Sequence, residues 1–215
     1  MSIKHKEVVE GLNTLSILSL FYRRTNSIKE FLRVAGSSGI VRRYFIMNFF
    51  DGAMTMLGIL MGTYISGALD LRITIGAGLG ACFAMGVSGF FGTYMAEKTE
   101  TLRKIRDLEK ALLSDLSNSL HEKASFYSSL WLAFVDGISP MIAASISMIP
   151  LILSLNGLLY ASSALFMSIA LIMASLFILG AFLGKISGKN IIAWGFQMFI
   201  AGILTALIIM LLGAF

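Results

Sequence analysis

The sequence predicts an all-α integral membrane protein of five transmembrane helices, with its amino terminus in the cytoplasm and its carboxyl terminus outside. Three observations carry that reading. Apolar residues make up 57% of the 215 positions against 13% charged, and the mean hydropathy is +0.83, far more apolar surface than a water-soluble domain of this length buries. Five apolar stretches reach the roughly 20 residues that a helix needs to cross a bilayer. The basic residues gather on one side of those stretches.

Taken in chain order, residues 1–43 form a cytoplasmic and interfacial amino-terminal region. Within it Val8 to Tyr22 is apolar but short, and Glu10 and Asn13 interrupt it, which predicts an amphipathic helix lying in the membrane interface. It has neither the cationic start nor the small-residue cleavage site of a signal peptide. The membrane domain, 44–215, holds spans at Tyr44 to Gly67, Ile73 to Ala96, Phe126 to Leu153, Leu158 to Gly184 and Ile191 to Phe215. Between the second and third spans, 97–125 forms a cytoplasmic helical segment. Leu102, Ile105, Leu112 and Leu116 make its apolar stripe, and Glu100 with Lys104 and Arg103 with Asp107 make oppositely charged pairs four residues apart. Pro140 and Pro150 remove backbone donors from the third span and predict a break or kink near Asp136. Glycines four apart, at Gly58 and Gly62, Gly76 and Gly80, and Gly180, Gly184 and Gly188, predict close helix contacts within the bundle or between protomers.

Sixteen of the seventeen Lys and Arg precede the first span or lie between spans two and three or four and five, and only Arg72 falls on the other side. The positive-inside rule therefore sets the orientation, and the formal charge of +5 reflects that orientation and anionic lipid, with no nucleic acid partner required. The single cysteine, Cys82, excludes a disulfide framework or a CxxC site. His5 and His121 sit among charges and receive no role. No span holds a histidine cluster, a metal-ligating triad or a nucleophile paired with a base, so the chain is read as a non-enzyme with no cofactor.

Only two of the twelve acidic residues, Asp51 and Asp136, lie within spans. An ionised carboxylate facing hydrocarbon costs at least about 2.5 kcal/mol, so each must face the bundle interior, a cavity or a partner. No Lys, Arg or His in any span can pair with them. They stay protonated, bond to backbone, or bind cations. Their settings match: Phe50-Asp51-Gly52 and Val135-Asp136-Gly137 stand early in two spans that run the same way, which suggests a two-helix internal repeat followed by a fifth helix. Met54 and Thr55 share the helical face of Asp51, while Met141 is less well aligned with Asp136. A thioether and a hydroxyl beside a carboxylate suit Fe(II) or Mn(II) better than Ca(II). Most of the thirteen Met are expected simply to pack against helices and lipid. Glu97 and Glu100, at the exit of the second span, are candidates for collecting cations at the cytoplasmic mouth.

The Asp51-Gly52 of span one, the run Gly92-Thr93-Tyr94-Met95-Ala96 followed by Thr99-Glu100, and Ile149-Pro150-Leu151-Ile152 in span three together resemble the vacuolar iron/manganese transporter family over roughly Phe45 to Phe215. The resemblance implies a homodimer that exports Fe(II) or Mn(II) from the cytoplasm in exchange for protons. Asp51 matches the family's membrane aspartate, and Glu100 the position where span two turns into the family's cytoplasmic helices. Where the family has its second-span methionine this chain has Gly89, with Met85 one turn earlier, and the position before the tyrosine is Thr93. The cytoplasmic segment is shorter than a multi-helix metal-binding domain. The candidate cation-binding residues are thus Asp51, Met54, Met85, Glu97, Glu100 and Asp136, of which Asp136 rests on the residues alone. The expected role is a proton-coupled divalent-metal transporter of the cell membrane, its partners the metal ion, protons, the lipid bilayer and a second copy. The alternative is a non-transporting membrane scaffold or metal sensor.

Overall fold

A computed structural model describes residues 37–67, 69–113 and 120–213. The interfacial helix expected at Val8 to Tyr22 lies outside the described residues. Five helices follow one another: α1 (Ser37–Ser66), α2 (Leu71–Leu112), α3 (Leu120–Leu155), α4 (Ala161–Ile186) and α5 (Ile191–Leu212). All five are long and apolar enough to cross a membrane, so the chain is an all-helical, multi-pass membrane protein, and the described residues contain no strand.

Helix lengths exceed the predicted spans where polar sequence continues the helical repeat. α1 begins at Ser37, seven residues before the first apolar span. α2 runs 42 residues, about 63 Å at 1.5 Å per residue, twice what a bilayer core requires, so the second span and its charged continuation are one helix. Arg103, Lys104, Arg106 and Lys110 are all exposed there, and Lys104 Nζ lies 3.6 Å from Glu100 as their spacing predicts. The Asp70 carboxylate caps α2 by accepting from the backbone N–H groups of Arg72 (2.8 Å) and Ile73 (3.1 Å), and Asn190 does the same for α5 through Ile192 and Ala193. The turns that end α1, α3 and α4 place Gly67, Gly157 and Gly188 at positive φ, where a side chain would be strained.

The break expected in the third span does not occur. α3 is helical from Leu120 to Leu155 with Pro140 and Pro150 inside it and fully buried. Each proline costs one helical hydrogen bond, but unwinding would expose several more backbone groups where no water can satisfy them, and close packing on neighbours holds the helix together.

α3 is the hub. It packs against α1, α2 and α4, while α5 lies on α4 and α1 and turns most of its surface outward. Met56, Leu57, Leu60, Met148, Leu151, Leu165, Ile172 and Leu176 form the fully buried core between α1, α3 and α4. The four-spaced glycines divide into two kinds. Gly180 and Gly184 meet the backbone of α5 at Trp194 and Ile191, so they serve packing within the chain. Gly62, Gly76 and Gly80 meet nothing within 4 Å and lie open on the surface. On α2 that open row continues as Gly76, Gly80, Ala84, Ser88 and Gly92, four apart and all exposed.

Candidate functional site

The candidate site is set by how closely α1 and α2 approach α3 around residues 136–140. A Cβ on Gly52 of α1 would come within 2.6 Å of the Cα of Pro140, and one on Gly137 within 2.7 Å of the carbonyl oxygen of Gly86 on α2. Only glycine permits those contacts, since the obstructing atoms are backbone. The two Asp-Gly dipeptides therefore share the glycine's role of seating one helix against another. Their aspartates have different fates.

Asp136 is 3% exposed, sealed at the junction of the three helices. Its Oδ1 accepts a hydrogen bond from Asn48 Nδ2 of α1, and its Oδ2 accepts one from Thr93 Oγ1 of α2 at 2.6 Å. Asn48 Nδ2 also donates to the carbonyl of Tyr44, 3.3 Å away on its own helix. On α2 the carboxyl is admitted by Gly89, whose missing Cβ would stand 3.1 Å from Asp136 Oδ2. Buried polar atoms demand partners, and each carboxylate oxygen has one, from a different helix.

A second rung lies one turn away. Tyr44 Oη donates to Glu97 Oε1 at 2.8 Å, joining α1 to the end of the apolar part of α2. Tyr44 precedes Asn48 by four residues and Glu97 follows Thr93 by four, so the Tyr44–Glu97 bond sits over the Asn48–Asp136–Thr93 bonds on the side where the basic residues gather. Tyr94 packs edge-on against Phe126 in the same layer, with Lys98 Nζ 5.6 Å from the Tyr94 ring centre.

Asp51 is exposed, on an outward face of α1. Of the settings open to an acid in a span, the bundle interior is excluded for this chain by itself, because the helical register turns Gly52, Ala53, Met56 and Leu57 inward and Asp51 away. Beside it Thr55 Oγ1 donates to Met85 Sδ of α2 at 3.5 Å, and both residues are half-buried. Met54 is half-buried against the apolar core. Asp51 and Asp136 are near enough to interact electrostatically.

The six sequence candidates thus separate into three places. Asp51 lies on an outward face; Met54, Met85 and Asp136 turn toward the interior, the two methionines half-buried against the core and Asp136 sealed within it; Glu97 turns in to Tyr44 while Glu100 points out to Lys104. Among the described residues no three of His, Cys, Asp and Glu come together as a metal-binding group. Asn48 and Tyr44 were missed by sequence reasoning, and Thr93 entered only as a departure from a family pattern. One signal was available: Asn48 is an amide inside an apolar span, three residues before Asp51.

The chain matches no family model. It is 34% identical over 191 residues, 87% of this chain and 95% of the other, to an uncharacterized protein, MJ0645, of Methanocaldococcus jannaschii.

Proposed function

We propose that this chain, which belongs to the family of the uncharacterized protein MJ0645, carries a divalent cation, Fe(II) or Mn(II), out of the cytoplasm in exchange for protons. The observation that carries the reading is Asp51: an acid exposed within a span, with no basic side chain paired to it among the described residues. Left against lipid it is costly; facing a cation and a second protein surface it is not. The Thr55 hydroxyl, one turn along α1 from Asp51, bonds the Met85 thioether of α2, and the two would supply the mixed oxygen and sulfur donors that a borderline dication accepts. The likeness of Asp51-Gly52, the Gly92–Ala96 run and the Ile149–Ile152 run to the vacuolar iron/manganese transporters supports the same cargo.

One carboxylate per chain is a thin shell for a dication, so the working unit is a homodimer. Two copies meeting on the open faces of α1 and α2 would bring two Asp51 carboxylates and two Met85 thioethers to one axis. The small residues at 62, 76, 80, 84, 88 and 92 give such a contact the low relief it needs in lipid. The orientation follows the basic residues, with Glu97, the α2 extension and the lysine-bearing turn between α4 and α5 in the cytoplasm, and the membrane is the cell membrane.

Metal flux into proteoliposomes, read with a metal-quenched dye inside, tests the proposal. Wild-type protein should carry Mn(II) with counterflow of protons, and Asp51→Asn should lower the flux at least about tenfold, equivalent to about 1.4 kcal/mol of lost interaction. Wild-type flux no greater than that of protein-free liposomes would end the transporter reading, and equal flux in wild type and Asp51→Asn would end the assignment of Asp51 as its cation position. Failure of Mn(II) to raise the thermal midpoint of wild-type protein would favour a scaffold instead.

A further inference from the structure

Asp136 differs from Asp51 in what surrounds it. It is sealed between three helices whose backbones touch at Gly52–Pro140 and Gly86–Gly137, leaving no room for a dication with a shell of donors. Its two partners, an amide and a hydroxyl, can each donate or accept, so by turning they can serve either a carboxylate or a carboxylic acid. A lysine or arginine in their place would hold the group ionised. An acid packed too closely for a metal, with neutral partners that fit both of its forms, is built to gain and lose a proton.

Among the described residues the titratable groups within electrostatic reach of it are few. From α1 they are Tyr44 and Asp51, and from α2 Glu97, reached through the Tyr44 hydroxyl. α4 and α5 carry no Asp, Glu or His, and their lysines, Lys185 and Lys189, are exposed at the turn between them. A dication arriving at Asp51 adds positive charge within electrostatic reach of Asp136 and favours expulsion of its proton, which is the coupling an exchanger requires. Tyr44–Glu97 stands between Asp136 and the cytoplasmic edge of α1 and α2, one helical turn out.

We propose that Asp136 is a proton-binding carboxyl within each protomer, separate from the metal position at Asp51, and that the Tyr44–Glu97 hydrogen bond closes it to the cytoplasm. The assignment rests on the exchanger reading above for its purpose, and on the packing around Asp136 for its chemistry.

Carbodiimides, which attack protonated carboxyls, provide the test, with the modified residue located by mass spectrometry on full-length protein in liposomes. Dicyclohexylcarbodiimide should modify Asp136 increasingly as the pH is lowered, and Mn(II) should suppress the reaction. Tyr44→Phe and Glu97→Gln should each raise modification of Asp136 by a water-soluble carbodiimide added on the cytoplasmic side. Protons released per Mn(II) bound should fall in Asp136→Asn and stay at the wild-type value in Asp107→Asn, an exposed control. Absence of Asp136 modification at every pH overturns the proposal. So does an unchanged proton-to-metal ratio in Asp136→Asn, or loss of the thermal shift by Mn(II) as complete as in Asp51→Asn, which would make Asp136 a metal ligand. Equal cytoplasmic modification of wild type, Tyr44→Phe and Glu97→Gln overturns the gate. If wild-type protein responds to no divalent metal, the transporter reading fails, while the pH dependence of Asp136 modification still decides whether that carboxyl takes a proton.

Discussion

Asp51 and Asp136 carry the same side chain, stand before the same glycine and enter the membrane in the same direction, yet one is open and the other sealed. The difference arises from register. Around Asp136 the neighbours Asn48 and Thr93 arrive from two other helices, whereas the register of α1 turns Asp51 outward, where it stays exposed. The Thr93 hydrogen bond is therefore a stability element, whatever chemistry Asp136 performs. Thr93→Val keeps the shape and removes the donor, leaving a buried carboxylate oxygen unpaired; a loss of about 1–3 kcal/mol is expected, measured by chemical unfolding in detergent. Glu97 and Glu100 part company in the same way: three residues apart on one helix, one is drawn inward by the Tyr44 hydroxyl and the other stays in solvent with Lys104.

At the scale of helices, glycine decides which pairs touch. Gly52 and Gly137 stand where α1 and α2 press on α3, and Gly76 faces open space. Gly52→Ala places a methyl on the backbone of Pro140, which cannot yield without moving a helix, and should cost about 1–3 kcal/mol. Gly76→Ala gains helix propensity and meets nothing, so it should be neutral or stabilising by up to about 1 kcal/mol in the monomer. Thermal midpoints of the two variants in the same detergent compare them directly. The continuity of α3 through Pro140 and Pro150 belongs to this scale too. A proline-bearing segment that would bend in water stays helical when its neighbours and the absence of water make any alternative more costly.

For the whole molecule, two consequences follow from surfaces that the single chain leaves uncovered. The open row Gly76, Gly80, Ala84, Ser88, Gly92 and the exposed Asp51 belong to neighbouring helices, α2 and α1, and the proposed transporter would cover them with a second copy. Gly80→Leu should reduce the dimer fraction about tenfold or more at equal protein density without lowering expression, as counted by subunit photobleaching in liposomes. The distribution of basic residues is a property of the whole chain as well. A reporter that fluoresces only in the cytoplasm should be dark when fused after Phe215 and bright when fused before Met1.

Much of the architecture was legible in the linear order of residues. The five spans, the helix leaving the second span, the Glu100–Lys104 pair and the placing of two acids inside spans all follow from composition, hydrophobic length and local spacing, which act within one helix and need no knowledge of neighbours. What no local pattern could tell is which face of each helix meets another. That depends on backbone-close crossings at Gly52, Gly86 and Gly137, and those crossings seal Asp136 with Asn48 and Thr93 while leaving Asp51 outside. Hydrophobicity places a helix in the membrane whichever way it is turned; only the packing of one helix against the next fixes the turn, and with it the chemistry each acid can do.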